Sequence, residues 1–222
     1  MSFEGYDLPT CMEAWKKQNG VTISPTYIGD QNEVQAKLSL STDTGYDLIT
    51  YFNGIAPLFI NELDILQPID IDQVPNQKDL YALFRTKDLW VKDSNVWGVP
   101  FTFGAQGCNY NADKTDPPQS WHDLLTPKYK GLVGMVDEVF TEIVLGGRAL
   151  GFGDDLPSIT KDQLAEIKGF LIELKKNARG IAPSYGALVD MFASGEISVA
   201  FPGWAAINVW SQARSVNVQH TM

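Results

Sequence analysis

The sequence predicts an α/β fold of two lobes, each with a mixed sheet flanked by helices. Three observations carry this expectation. Short apolar runs alternate with amphipathic stretches along both halves, as in sheets covered by helices. The 222 residues are 44% hydrophobic, enough to build two cores of roughly 100 residues each. Between the halves lies an extended piece holding Gly104 and Gly107, so a boundary is expected near 104–110, giving lobes 1–105 and 106–222.

The elements follow in order. Pro9 to Asn19 reads as a helix, with Pro9 suited to its first turn and Gly20 to its stop. "VTISPTYIG" reads as a strand, edge-like because Pro25 cannot donate to a ladder. "NEVQAKLSL" reads as a helix capped by Asn32 or Asp30, "YDLITYF" as a buried strand, and "PLFINELDIL" as a helix. "LYALFRTKDLW" has helical character, and "VWGVPFTFGAQGCNYN" reads as two extended pieces. "SWHDLLTPKYKG" is a short capped helix and "LVGMV" a strand. "EVFTEIVLGGRALGF" is a helix weakened by Gly146-Gly147. The clearest helix is "TKDQLAEIKGFLIELKK", with Thr160 and Gln163 as a capping box and Leu164, Ile167, Leu171 and Leu174 as an apolar stripe. Helix "YGALVDMFASG", strand "ISVAF" and helix "WAAINVWSQA" follow, the strand ending where Pro202-Gly203 breaks it.

Charge narrows the partners. The formal net charge is -10, from 17 Lys and Arg against 27 Asp and Glu. Nucleic acids and anionic membranes bind through Lys and Arg, so neither is expected as a partner. Cys11 and Cys108 match no metal spacing and read as packing residues; with two His, no metal site or cofactor is called for. No apolar run approaches the ~20 residues of a membrane span, and Met1 is not followed by a secretory signal.

In open α/β sheets ligands sit outside the carboxyl ends of the strands. The residues in those places are Phe52, Asn53 and Gly54 after "YDLIT", Asp137 and Glu138 after "LVGMV", and Pro202, Gly203 and Trp204 after "ISVAF". Phe3, Glu4 and Tyr6 precede the first helix, and Phe101 and Phe103 stand near the crossing. Aromatic faces with carboxylates suit an organic cation. Structural alternatives stand beside each reading. Acids at a helix start are favoured by the helix dipole alone. Trp204 could pack between lobes, Phe52 could belong to the core, and Asn53-Gly54 could be a simple turn. Phosphate-binding glycine loops and a G-x-S-x-G nucleophile elbow are missing, Asp137 and Glu138 are adjacent and diverge, and His122-Asp123 has no assignable nucleophile, so no enzyme is expected.

In their order and spacing, "YDLITYFNGI", "VWGVPFTFGAQGCNYN", "SWHDLLTPKYKGLVGMVDE" and "FASGEISVAFPGW" resemble the solute-binding proteins of ABC importers, nearest the spermidine/putrescine-binding branch. The segment from Ser120 to Gly131, followed by a strand and an acidic pair, is the most specific piece. The resemblance implies a type II periplasmic-binding-protein-like fold whose hinged lobes close on a small, amine-like solute and deliver it to an ABC permease, with a periplasmic location. It places Phe3, Glu4 and Tyr6 at the family's first aromatic cluster, with Phe3 where a Trp is usual. Glu138 falls on the principal acid, and Thr141 where a second acid is expected, with Glu142 one place on. Phe52 stands where a Ser is usual, and Pro202 holds the place of a Trp, with Trp204 two along. The implied ligand-binding set is Phe3, Glu4, Tyr6, Phe52, Asn53, Phe103, Glu138, Thr141 and Trp204. Against the family the chain is expected to be truncated at both ends, leaving the first lobe incomplete. Its open strand edges would favour a homo-oligomer, and an oligomeric interaction module is the alternative to solute binding, as is a receptor for a different solute.

Overall fold

A computed structural model describes residues 1–3, 9–28, 31–39, 45–85, 90–156 and 158–221, which divide into two compact units, Met1–Thr102 and Phe103–Met222. In the first unit β1 (Ser2–Phe3) pairs in parallel with β2 (Tyr27–Ile28). Around them in chain order run α1 (Pro9–Asn19), α2 (Gln31–Leu38), α3 (Ala56–Asn61) and α4 (Ala82–Arg85). The unit ends in a hairpin of β3 (Val91–Lys92) and β4 (Asn95–Val96). Asp93 and Ser94 both take positive φ there, the geometry that matches a two-residue turn to strand twist. Ile28, Val34, Leu38 and Phe59 form the unit's core.

The expected strand at "YDLITYF" is corrected. Residues 46–52 form no strand among the described residues, and Leu48 is 75% exposed. The segment instead runs beside the chain start: the Met1 amino group donates to Leu48 O at 2.7 Å and Thr50 N donates to Met1 O at 3.0 Å. Tyr51 turns inward onto Phe59, with ring centroids 5.4 Å apart. A run of β-formers becomes a strand only where a ladder partner extends along it, and among the described residues only these two backbone bonds join the segment to the chain start.

The second unit is a mixed sheet in the order β7-β6-β8-β5-β9. Its strands are β5 (Gln106–Asn111), β6 (Val133–Val136), β7 (Gly180–Ala182), β8 (Val199–Trp204) and β9 (Val218–Thr221). β6 runs parallel to both β7 and β8, while β5 is antiparallel to β8 and to β9. Alternation along the strands separates two cores. Val133, Met135, Val199 and Phe201 face Leu145, Phe170 and Leu174 of α5 (Val139–Ala149) and α6 (Lys161–Asn177). Val136, Ala182 and Ala200 face Leu188, Phe192 and Ile207 of α7 (Tyr185–Ser194) and α8 (Ala206–Gln212).

Sequence signals set these helices. Thr160 and Gln163 form both bonds of the capping box, and Gly195 closes α7 at φ 76°. Four expectations are corrected. The buried stripe of α6 is Ile167, Phe170 and Leu174, while Leu164 is 42% exposed in the first turn. "SWHDLLTPKYKG" is a pair of 3-10 turns, Trp121–Leu125 and Pro127–Tyr129, because Pro127 at the start of the second denies it an N–H. Gly146-Gly147 do not interrupt α5: a methyl at Gly146 would lie 3.0 Å from Ile167 Cγ2, so the glycines let α5 settle on α6. β8 continues through Pro202-Gly203 to Trp204, because β5 answers it with a bulge between Gly107 and Asn109.

Candidate functional site

Because β6, β7 and β8 are parallel, their carboxyl ends share one rim of the second unit, and antiparallel β5 starts there, with Gln106 opposite Trp204. The chain leaves β6 into Asp137 and Glu138, β7 into Ser184 and Tyr185, and β8 at Trp204. Asp137 N donates to Ala182 O at 2.9 Å, extending the ladder by one residue and fixing where the acids emerge.

Glu138 is the N-cap of α5: its Oε2 accepts from Thr141 N at 2.8 Å. That bond satisfies one of the orphan donors of the first turn, and among the described residues Oε1 accepts no hydrogen bond, which leaves it open to a ligand. Thr141 is buried, and Glu142 is half-buried one place on. Tyr185 opens α7 beside this turn, and its ring meets that of Trp204 at 5.5 Å and 58°. The Trp204 ring in turn meets that of Trp210 of α8 edge-on at 5.2 Å.

Trp204 is held from behind. The fully buried Asn109 of β5 accepts from Trp204 N on Oδ1 at 2.7 Å and donates through Nδ2 to Asn208 Oδ1 of α8 at 2.8 Å. One amide therefore ties the end of β8 to β5 and to α8. The indole lies against Gly104, where a methyl would come within 2.9 Å of Trp204 Nε1.

The rim is electrostatically unbalanced. Among the described residues none of Asp137, Glu138 and Glu142 forms an ion pair. Burial pushes the Glu142 carboxyl up to about 7, with Asp137 and Glu138 adding to the rise and Lys175 opposing it. Burial also drives the Tyr185 hydroxyl well above its ordinary range, reinforced by the charge of Glu138, so it stays a neutral phenol. Crowded carboxylates raise one another's pKa, and an added cation relieves that repulsion. Among the described residues no cluster of His, Cys, Asp and Glu has an arrangement that could hold a metal ion.

A pH dependence follows. Folded, Glu142 keeps its proton up to about pH 7; unfolded, it releases it near 4.5. The stability this contributes is complete below the unfolded value and is lost as pH rises through the folded one. The urea-unfolding free energy should therefore fall from pH 5 to pH 8, and Glu142→Gln should flatten that fall. His220, whose pKa burial lowers, tilts the curve the other way below its ordinary 6.5, so the comparison of variant with parent is what isolates Glu142. Superimposable profiles for the two proteins would remove this role from Glu142.

Of the residues singled out in the sequence, Glu138, Thr141 and Trp204 are brought together on this rim. Phe103 belongs to the same unit, 72% exposed in the segment ahead of β5. Phe52 is half-buried and Asn53 exposed at the start of the 3-10 turn Asn53–Ile55 of the first unit. The backbone of Phe3 is in β1, and Glu4 and Tyr6 lie outside the described residues, as does the side chain of Cys11. Cys108 is a buried packing residue whose thiol is pushed up to about 12 by burial. Tyr185, Gln106 and Trp210 were not anticipated. The strand-end rule points to Tyr185 once β7 is recognised, and the Glu138–Glu142 spacing of four on one helix face signals the carboxylate crowding.

The family described as bacterial extracellular solute-binding protein matches residues 43–216. The spermidine/putrescine-binding periplasmic protein of Escherichia coli (strain K12) is 27% identical over 179 residues, covering 80% of this chain and 49% of the relative. The norspermidine sensor of Vibrio cholerae is 23% identical over 133 residues, covering 59% of this chain and 34% of the relative. The chain thus spans about half the length of the curated relatives it matches. Among solved structures, a lipoprotein of Treponema pallidum (TpPotD) superposes with a TM-score of 0.81 at 18% identity, covering 98% of this chain and 67% of that one. The spermidine/putrescine ABC-transporter substrate-binding protein PotD of Streptococcus pneumoniae gives 0.72 at 16% identity, covering 98% and 65%. At these identities the structures establish the α/β binding-protein fold. The comparisons lend no support to an oligomeric interaction module.

Proposed function

This chain belongs to the bacterial extracellular solute-binding proteins, and on that premise we propose that it binds a small amine-like cation at the β6–β7–β8 rim and hands it to an ABC permease outside the cytoplasm. The carrying observation is the convergence of Glu138, Glu142, Tyr185 and Trp204 around carboxylates that, among the described residues, form no ion pair. Ring faces attract an organic cation through their quadrupole, and a carboxylate adds a charge-assisted hydrogen bond. Polyamine-binding relatives support the same ligand class. In this reading the second unit contributes the acids and Trp204, and Phe3, Glu4, Tyr6, Phe52 and Asn53 are proposed as further ligand contacts.

Calorimetric titration of the chain with putrescine and spermidine tests the reading. Saturable binding is expected for these amines and none for a dicarboxylate of similar length. Equal binding of the dicarboxylate, or no binding of any amine, would overturn it.

A further inference from the structure

Two polar atoms at the rim are closed off from solvent and have no hydrogen-bond partner among the described residues: the Tyr185 hydroxyl and Gln106 Oε1. The Tyr185 hydroxyl lies near the side chains of Gln106 and Thr141, but neither approach reaches hydrogen-bond geometry. Buried polar atoms in native proteins are almost always paired, so an unpaired couple needs an explanation. Their surroundings supply one. The Tyr185 ring meets that of Trp204 at a tilt and sits next to the Glu138 carboxylate, and Gln106 is opposite Trp204 across the β5–β8 ladder.

We propose that Tyr185 and Gln106 are specificity determinants that accept hydrogen bonds from the N–H groups of a bound ammonium, so that the site takes primary and secondary amines and rejects quaternary ones. The inference rests on the rim being an amine site. The rings do not make this distinction, and the carboxylates make it only through the charge-assisted hydrogen bonds they add to ion pairing. Cation–π attraction and ion pairing depend on charge, and a trimethylammonium head satisfies both as a primary ammonium does. The distinction falls to acceptors. Gln106 Oε1 only accepts, and the neutral Tyr185 hydroxyl keeps a lone pair whichever way its single proton points. A primary ammonium brings three N–H groups to these oxygens; a trimethylated one brings none and buries both oxygens unpaired. Sites built to hydrogen-bond a group reject the analogue lacking it far more strongly than they discriminate by size.

The test is calorimetry on the intact chain with two probes, 1,4-diaminobutane and its bis-trimethylammonium analogue, against the parent, Tyr185→Phe and Gln106→Met. The parent should bind the diamine at least about tenfold more tightly than the methylated probe. Each variant should bring the two affinities together by weakening the diamine alone. Tyr185→Phe removes only the unpaired hydroxyl, so its fold and ring contacts persist, and its melting temperature is measured alongside. Equal affinities of the parent for both probes would overturn the inference while leaving the amine site standing, and so would an undiminished ratio in both variants. Failure of 1,4-diaminobutane to bind the parent at all would remove the amine reading itself, and this inference with it.

Discussion

Gly203→Ala is expected to destabilise the second unit by about 3 kcal/mol or more, a large share of the ~5–15 kcal/mol that holds a domain folded. A methyl at this position would run into the Asn109 backbone nitrogen, within 2.5 Å of the Cys108 carbonyl carbon and 2.7 Å of Asn109 Oδ1. Side chains elsewhere in the fold could swing aside. Here the obstacles are backbone atoms of β5, which is paired to β8 on one side and β9 on the other and carries buried Cys108 and Asn109. Relief requires β8 to part from β5. That breaks the bond from Trp204 N to Asn109 Oδ1 and leaves a buried amide short of a partner, costing about 1–3 kcal/mol beyond the ~1–3 kcal/mol of overpacking. Urea unfolding followed by circular dichroism measures the loss. A midpoint unchanged from the parent would mean that β5 and β8 do not approach this closely.

The same ladder shows what could be read in advance. Helix α6 was legible because its signals are local: a capping box at Thr160 and apolar residues every three or four places lie within one segment. Strands β6 and β8 were legible because both faces of each are buried, which leaves a short apolar run. Strand β7 was not. It has three residues, Ile181 in its middle is 46% exposed, and it exists only because β6 pairs with it. Missing β7 hid Tyr185, although the strand-end rule that found Glu138 and Trp204 applies to it equally. Continuation of β8 past Pro202 was also non-local, since it depends on the bulge in β5. The opposite error arose at Leu48, where an apolar run suggested a strand, yet among the described residues its neighbouring backbone pairs with it only through Met1. Composition within a segment reports what it can bury; which strands meet depends on residues far away in the chain.

Glu138→Gln is expected to weaken 1,4-diaminobutane binding by about 1.5–3 kcal/mol, roughly 10- to 150-fold, the range for a hydrogen bond to a charged group. The residue has two duties that this substitution separates. As N-cap of α5 it accepts from Thr141 N, and the Gln side-chain oxygen can do the same, so the folded state should lose no more than about 1 kcal/mol. As a ligand group its charge is the property that matters, and Gln lacks it. Removing that charge also relieves Glu142, whose carboxyl is held up in part by Glu138, so its titration should move downward from about 7. In the parent, a bound ammonium favours ionised Glu142, and affinity should climb as pH rises through 7. In Glu138→Gln the climb should begin at lower pH and end at a weaker plateau. A variant whose pH midpoint moves while its plateau affinity stays at the parent value would assign Glu138 to capping alone and leave the cation to Glu142 and the rings.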